Sequence, residues 1–254
     1  RDVHVDYVTF VPNGEPTLDT EIGRAAQLIA SLGLRTAIIT NSSLLWREDV
    51  RADLQHFSLV SIKIDTVDDE LWRRINRPYE ELALTKVVEG IEEFCKEYRG
   101  TLITETMLVR GLNTSETSAR AVARFIRRLK PSKVYISAPI RPPTEPWVKP
   151  PTDEEIVAVY STFVQELGEC VELLTSPEPP KFQVFDNPRD YLLNLTSVHP
   201  LRYDYAVKAL SKVCEEPERL IQHLVREGKL ALVEYRGYRY LLRKRFGDER
   251  SPAV

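Results

Sequence analysis

Lys63 and Asp65 stand two apart in the run LVSIKIDT, residues 59–66. Successive side chains of a strand point to opposite faces. Val60, Ile62 and Ile64 therefore share one face, and Ser61, Lys63 and Asp65 the other. The apolar face suits a layer of helices. The polar face then carries an ammonium and a carboxylate inward, where an unpaired charge is costly. Either the two fill the interior as an ion pair, or they meet a charged ligand. A second stretch of this kind is Asn13-Gly14-Glu15-Pro16, directly after the apolar run VDYVTFV. Proline is poor material for continuing a strand, and Gly14 suits a tight turn or a close backbone approach. Polar tips also close the other apolar runs: Asn41 with Ser42, Glu105 with Met107, and Ser137 with Arg141.

The elements that must position these tips alternate. Runs at 3–11, 35–41, 59–66, 100–109 and 133–140 read as strands. Helical spacing fills 20–33, 46–57, 81–98 and 115–130, the last opening on a Ser/Thr-Glu cap signal. Repeated strand–helix units predict an α/β fold with parallel strands, either an open sheet or a partial (βα) barrel. In such folds ligands sit at the carboxyl ends of the strands, where the polar tips fall. Proline then becomes dense from Ala138 to Pro151, and a helix follows over 153–168. Beyond Tyr203 come two amphipathic helices and a hairpin turning at Arg236-Gly237. We expect three parts: a barrel over 1–149 lacking its first strand, a linker and packing helix over 150–199, and a small winged-helix-like module over 200–254.

Composition limits the classes. Of 254 residues 43% are apolar and 29% charged, enough to build a core and stay soluble. A formal net charge of -3 argues against a nucleic-acid binder as a whole. The segment 200–254 nevertheless carries 12 Lys+Arg against 8 Asp+Glu. Its hairpin interleaves Tyr235, Tyr238 and Tyr240 with Arg236, Arg239, Arg243, Lys244 and Arg245. That pattern suits a nucleic-acid wing, or a solvated hairpin that packs on its own helices. Cys95, Cys170 and Cys214 are scattered and unpaired, which points to a reducing compartment, and the cytoplasm is the expected location. No apolar run is long enough to span a bilayer, so no membrane partner is expected.

The ordered tips resemble a known family. NGEPTL resembles the GGEP motif of the radical S-adenosylmethionine superfamily, and ITNSSLL, SIKIDT, TETMLV and YISAPIRPP follow that family's strands in order. IDTVDDELWRRINRP is similar to the same stretch of archaeal iron–sulfur oxidoreductases related to the wyosine-forming tRNA enzymes. The resemblance covers roughly Val3 to Trp147. It implies S-adenosylmethionine as cofactor. The backbone at Asn13, Gly14, Glu15 and Pro16 would meet its amino group, with Glu15 bracing the turn. Asn41 and Ser42 would touch methionine or ribose, although Asn41 also reads as a plain turn residue. Ser61, Lys63 and Asp65 would face the carboxylate and ribose. Glu105 and Met107 would lie beside ribose and adenine, although a single Met on a strand is more often core filler. The backbone near Ile140–Pro142 would lie beside the adenine, and the Arg141 side chain reads either as a contact to a phosphate or carboxylate of the substrate or as a rim residue pairing with Glu145.

The same resemblance implies a [4Fe-4S] cluster held by a CxxxCxxC loop. The three cysteines here cannot imitate that spacing, and the loop is expected upstream of Arg1. With it, the family's chemistry would be a 5'-deoxyadenosyl radical that takes a hydrogen from a substrate, RNA or a small molecule, with a small electron-donor protein as partner. Two other functions compete: a barrel enzyme that needs no cluster, and a winged-helix nucleic-acid-binding protein with a non-catalytic barrel.

Overall fold

The computed structural model describes residues 4–11, 14–175 and 187–244. Asn13, one of the expected site residues, lies outside them, as does Arg245 of the basic tail. The chain divides into two compact units, Arg1–Pro139 with Pro146–Thr175, and Ile140–Glu145 with Ser176–Val254.

In the first unit six strands form one sheet in chain order: β1 (Val8–Phe10), β2 (Thr36–Thr40), β3 (Leu59–Lys63), β4 (Thr101–Met107), β5 (Lys133–Ser137) and β6 (Val171–Leu174). Every neighbouring pair is parallel. Sequential parallel strands with right-handed crossovers put all connecting helices on one side, so the sheet curls into a partial barrel with its inner face uncovered by them. Those helices are α1 (Ile22–Ser31), α2 (Glu48–Leu54), α3 (Asp69–Ile75), α4 (Leu84–Glu97), α5 (Glu116–Leu129) and α6 (Asp153–Leu167). The expected α/β class with parallel strands is what the sheet shows.

The period-two pattern decides which side chains meet the helices. Ile38, Val60, Ile62, Val134 and Ile136 are fully buried and join Ala26, Phe94, Ile126 and Phe163 from the helices in one core. The alternate positions face inward, and there Ile39 and Leu174 stay 45% and 40% exposed. The cap signal expected at the start of α5 is present, and α6 carries one as well. Ser115 caps α5 by accepting from the Ser118 N–H, and Thr152 with Glu155 forms a reciprocal capping box at α6.

Three features differ from the sequence reading. The first strand shrinks from nine residues to three. Helix α3 lies in a stretch given no element, opened by Asp68, whose side chain accepts from the Leu71 N–H. Strand β6 appears after α6, in a segment with one buried residue, Val171. An edge strand has one neighbour only, so its sequence need not show the strong alternation of a buried strand.

The second unit holds α7 (Pro188–Val198), β7 (Leu201–Arg202), α8 (Tyr203–Leu210), α9 (Pro217–Arg226), β8 (Leu230–Tyr235) and β9 (Tyr238–Arg243), the strands forming an antiparallel sheet in the order β7-β9-β8. Its core gathers Leu192, Leu201, Leu210, Ile221, Leu224 and Leu241. The hairpin turns at Arg236-Gly237, both with positive φ (51° and 76°), the backbone twist that two-residue hairpin turns require. The aromatics and cations stack on each other. Arg202 lies 4.0 Å from the ring centre of Tyr205 and 3.9 Å from that of Tyr238, and Arg239 lies 4.3 Å from that of Tyr203. Tyr240 is buried and donates its hydroxyl hydrogen to the Ile140 carbonyl at 2.9 Å.

Candidate cofactor-binding site

The carboxyl edge of the sheet collects polar tips from four adjacent strands. After β1 the chain makes a single 3-10 turn, Pro16–Leu18, and Glu15 caps it. One Glu15 carboxylate oxygen, Oε1, accepts from the Thr17 N–H at 3.2 Å, from Thr17 Oγ1 at 2.7 Å and from Thr40 Oγ1 at 2.6 Å. The other, Oε2, accepts from the Asn41 N–H at 2.7 Å. The expected bracing of the turn by Glu15 is visible in these bonds. The carboxylate sews the turn after β1 onto the end of β2, and Pro16 and Thr17 are buried beneath it.

Past β2, Thr40 turns its hydroxyl oxygen to the Ser42 N–H at 3.0 Å. Asn41 accepts from the Ser43 N–H through Oδ1 at 2.9 Å, which is turn chemistry. Ser42 is wholly buried and held at φ 67°, a backbone region that glycine takes without strain. Its hydroxyl has no hydrogen-bond partner among the described residues. The loop beyond is pressed against α4 at Gly90, where a Cβ would come within 2.3 Å of the Trp46 backbone nitrogen.

On β3 and β4 the charges converge. Lys63 pairs with Glu105 in the strand register, so both point inward. Its ammonium lies 3.5 Å from Asp65 Oδ1 and 3.7 Å from Glu105 Oε1. Burial alone would push the Lys63 pKa down, but the attraction of Asp65, then of Glu105, outweighs it and holds the group above the ordinary lysine value. Glu105 also accepts from Ser137 Oγ of β5 at 2.7 Å. The Asp65 side chain is fully buried, whereas those of Lys63 and Glu105 keep 25% and 28% exposure. Asp65 Oδ1 accepts from the Met107 N–H at 2.8 Å and Oδ2 from Asn76 Nδ2 at 2.8 Å. Asn113 completes the knot. Its Nδ2 donates to the Asp65 and Met107 carbonyls at 2.9 Å each, and its Oδ1 accepts from the Val109 N–H at 2.7 Å.

Of the residues singled out in the sequence, Gly14, Glu15, Pro16, Asn41, Ser42, Lys63, Asp65, Glu105 and Met107 stand at this edge, on the ends of β1 to β4 or just beyond them. Ser61 is buried on β3, one inward position below Lys63. Met107 is half-buried and shares the inward face with Ser137 rather than the helix-side core. Arg141 belongs to the second unit. Thr17, Asn76 and Asn113 were not anticipated. Asn76 caps the C-terminus of α3, and Asn113 sits in the turn before α5. Nothing local in the sequence tells that either reaches back to Asp65, which lies 11 and 48 positions away.

The cysteines do not join the site. Cys95 lies on α4, where burial pushes its thiol up to about 12, away from thiolate character. Cys170 sits in a 3-10 turn after α6, and Cys214 follows α8. No group of three His, Cys, Asp or Glu able to hold a metal occurs among the described residues.

Comparison with known proteins agrees with this architecture. Residues 3–122 match the Radical SAM superfamily. A UPF0026 protein of Methanocaldococcus jannaschii is 42% identical over 234 residues, which is 92% of this chain and 73% of the relative. A domain of a pyruvate-formate lyase-activating enzyme from Bacteroides vulgatus superposes with a TM-score of 0.53 at 18% identity, covering 65% of this chain and 97% of that one. TYW1 with a lysine-pyruvate adduct bound superposes with a TM-score of 0.50 at 17% identity, covering 63% of this chain and 50% of that one. At those identities the solved structures speak for the fold. A partial barrel of six parallel strands, a family match across its first four strands and a relative aligned over most of both chains lead to one conclusion: the chain belongs to the radical S-adenosylmethionine superfamily, alongside the UPF0026 proteins.

Proposed function

We propose that the first unit is the S-adenosylmethionine-binding core of a radical S-adenosylmethionine enzyme. The observation that carries this is the inward-facing Lys63, kept protonated between Asp65 and Glu105 at the carboxyl edge of the sheet. A partly exposed ammonium there suits the carboxylate of an amino-acid ligand. The turn after β1 offers backbone groups at Gly14, Glu15 and Pro16 for the ligand's amino group, rigid because Glu15 is tied at four points. The unpartnered Ser42 hydroxyl is a buried donor beside the same edge, and such a group is costly unless something satisfies it. Glu105, fixed by Ser137, and Met107 line the β4 side for ribose and adenine. Bound there, S-adenosylmethionine would supply the 5'-deoxyadenosyl group for the family's hydrogen-abstraction chemistry, the electron that splits its sulfonium coming from a reduced iron–sulfur cluster.

The superfamily's [4Fe-4S] cluster is a different matter. Fe–S clusters are held by thiolates, and the described residues bring no three ligands together. They do not fit the cluster, so the work assigned to these residues is to bind and orient the cofactor. The substrate is proposed as RNA or a small molecule, with a small electron-donor protein as partner.

In the second unit two helices followed by a hairpin support a winged-helix-like module. Its Arg–Tyr stacks are made internally, which favours a packing or docking role over phosphate contact. No helix among the described residues is long and apolar enough to cross a membrane.

The first test is calorimetric titration of the chain with S-adenosylmethionine. Saturable binding that is lost in Lys63→Ala, while that variant melts within a few degrees of the parent, is the expected result. A folded parent that shows no binding would overturn the reading. Anaerobic treatment of the whole gene product with iron, sulfide and dithionite, followed by mass spectrometry for 5'-deoxyadenosine, tests the radical step.

A further inference from the structure

Asp65 is the one carboxylate of the site with a side chain shut off from solvent, and both its oxygens are occupied by protein donors. A ligand-binding acid ordinarily keeps an open lone pair toward the cavity. Asp65 instead faces the Met107 N–H on one side, Asn76 Nδ2 on the other and the Lys63 ammonium above. We propose that Asp65 is a positioning residue: it locks the ends of β3 and β4 to the C-terminus of α3, holds the Lys63 ammonium at the mouth, and touches no ligand itself. This rests on the reading that the site takes S-adenosylmethionine.

Three observations converge on that role. The carbonyl of Asp65 and that of Met107 share the Asn113 amide, so the strand ends are tied by backbone as well as by side chain. Thr106 adds a further tie, donating its hydroxyl hydrogen to the Ile64 carbonyl at 2.7 Å. Lys63, in contrast, meets its two carboxylates at longer separations, 3.5 Å to Asp65 and 3.7 Å to Glu105. It remains adjustable enough to meet a carboxylate and is kept in place by its neighbours.

The groups around Lys63 are few. On its own chain segment Asp65 faces it, and on β4 Glu105, which is steadied by Ser137. On β2 the register ends at Thr40 opposite Ile62, and the Glu15 carboxylate at that strand end is occupied by Thr17, Thr40 and Asn41. On β5 Tyr135 is the register partner of Glu105. Removing the Asp65 charge takes away the larger of the two attractions that oppose burial. Lys63 then becomes easier to deprotonate.

The experiment measures the dissociation constant for S-adenosylmethionine from pH 7 to 9.5 in the parent and in Asp65→Asn, and compares the two as a ratio so that the ligand's own titration cancels. The expected ratio favours the parent and widens with pH, by about tenfold for each unit that the buffer lies above the lowered Lys63 pKa. A ratio that stays constant across that range overturns the proposal, because a merely structural carboxylate would weaken binding equally at every pH. Should Asp65→Asn fail to fold, the double variant Asp65→Asn with Asn76→Asp keeps the side-chain hydrogen bond in the reverse sense and moves the charge one partner outward. It is expected to melt near the parent and to show a smaller ratio that still widens with pH, and a constant ratio there overturns the proposal too. Competitive labelling of Lys63 with acetic anhydride across the same pH range reads its pKa with no ligand present. A lower value in the variant is expected and an unchanged value is fatal, so failure of this inference stays distinct from failure of the parent to bind S-adenosylmethionine.

Discussion

Glu15 Oε2 accepts the Asn41 N–H at 2.7 Å, joining the turn after the first strand to the end of the second across 26 positions of sequence. The bond belongs to a set of four made by one carboxylate, and the other three go to Thr17 and Thr40. An acid followed by proline is poor strand material, but here it is the staple that shapes the edge of the site.

Replacing Glu15 by Ala leaves Thr17, Thr40 and Asn41 donors without an acceptor. Hydrogen bonds to a charged group contribute about 1.5–3 kcal/mol each and are not additive, so a net loss of about 3 kcal/mol in unfolding free energy is expected from urea denaturation. A variant that unfolds at the parent's midpoint would show that the network is idle.

Gly90 is needed because α4 passes against the loop after β2. Its Cβ would meet Trp46 N at 2.3 Å and the Leu45 carbonyl carbon at 2.5 Å, both backbone atoms that cannot step aside. Gly90→Ala should cost about 3 kcal/mol, since overpacking against backbone lies at the severe end of such changes. Thermal melting reads this directly, and a shift of under a degree or two contradicts the packing described.

Ser42 presents the opposite case. A serine at φ 67° with a buried, unpartnered hydroxyl carries strain that glycine relieves. Ser42→Gly is expected to raise stability by about 1 kcal/mol and to weaken S-adenosylmethionine binding, because the hydroxyl is removed from the site. Higher stability with unchanged affinity would remove Ser42 from the proposed ligand contacts.

His199 sets a pH dependence in the second unit. Burial first, and then the positive charge of Arg141, lower its pKa from the usual 6.5 to about 4. Between these values the unfolded chain binds the proton and the folded one does not, so stability rises with pH across that window and falls as the solution is acidified through it. Partial solvent exposure limits the effect to about 1–2 kcal/mol between pH 7 and pH 4. His199→Gln should flatten this part of the stability profile measured by urea melts at pH 7, 5.5 and 4. A parent and variant with parallel profiles would contradict it.

The sequence by itself determined the strand–helix alternation and the face that each strand buries. Val60, Ile62 and Ile64 turn to the helices and Lys63 turns away because period two leaves no other arrangement. It also placed Glu15, Asn41, Lys63 and Glu105 at strand ends, since polar residues closing apolar runs are a local signal. Strand β6 and helix α3 escaped because the first is an edge strand with a single buried residue, and the second was hidden among closely spaced charges. Only the tertiary structure decided what those tips do to each other. Asp65 reads in the sequence as half of an ion pair with Lys63 or as a ligand-facing acid, and the fold gives its oxygens to Met107 and Asn76 as well as to Lys63, while Asn113 reaches its carbonyl from the turn before α5. Which donors a buried carboxylate meets depends on contacts between segments far apart in the chain. A local pattern fixes only the face a side chain occupies, and the partners across that face are supplied when the strands close side by side.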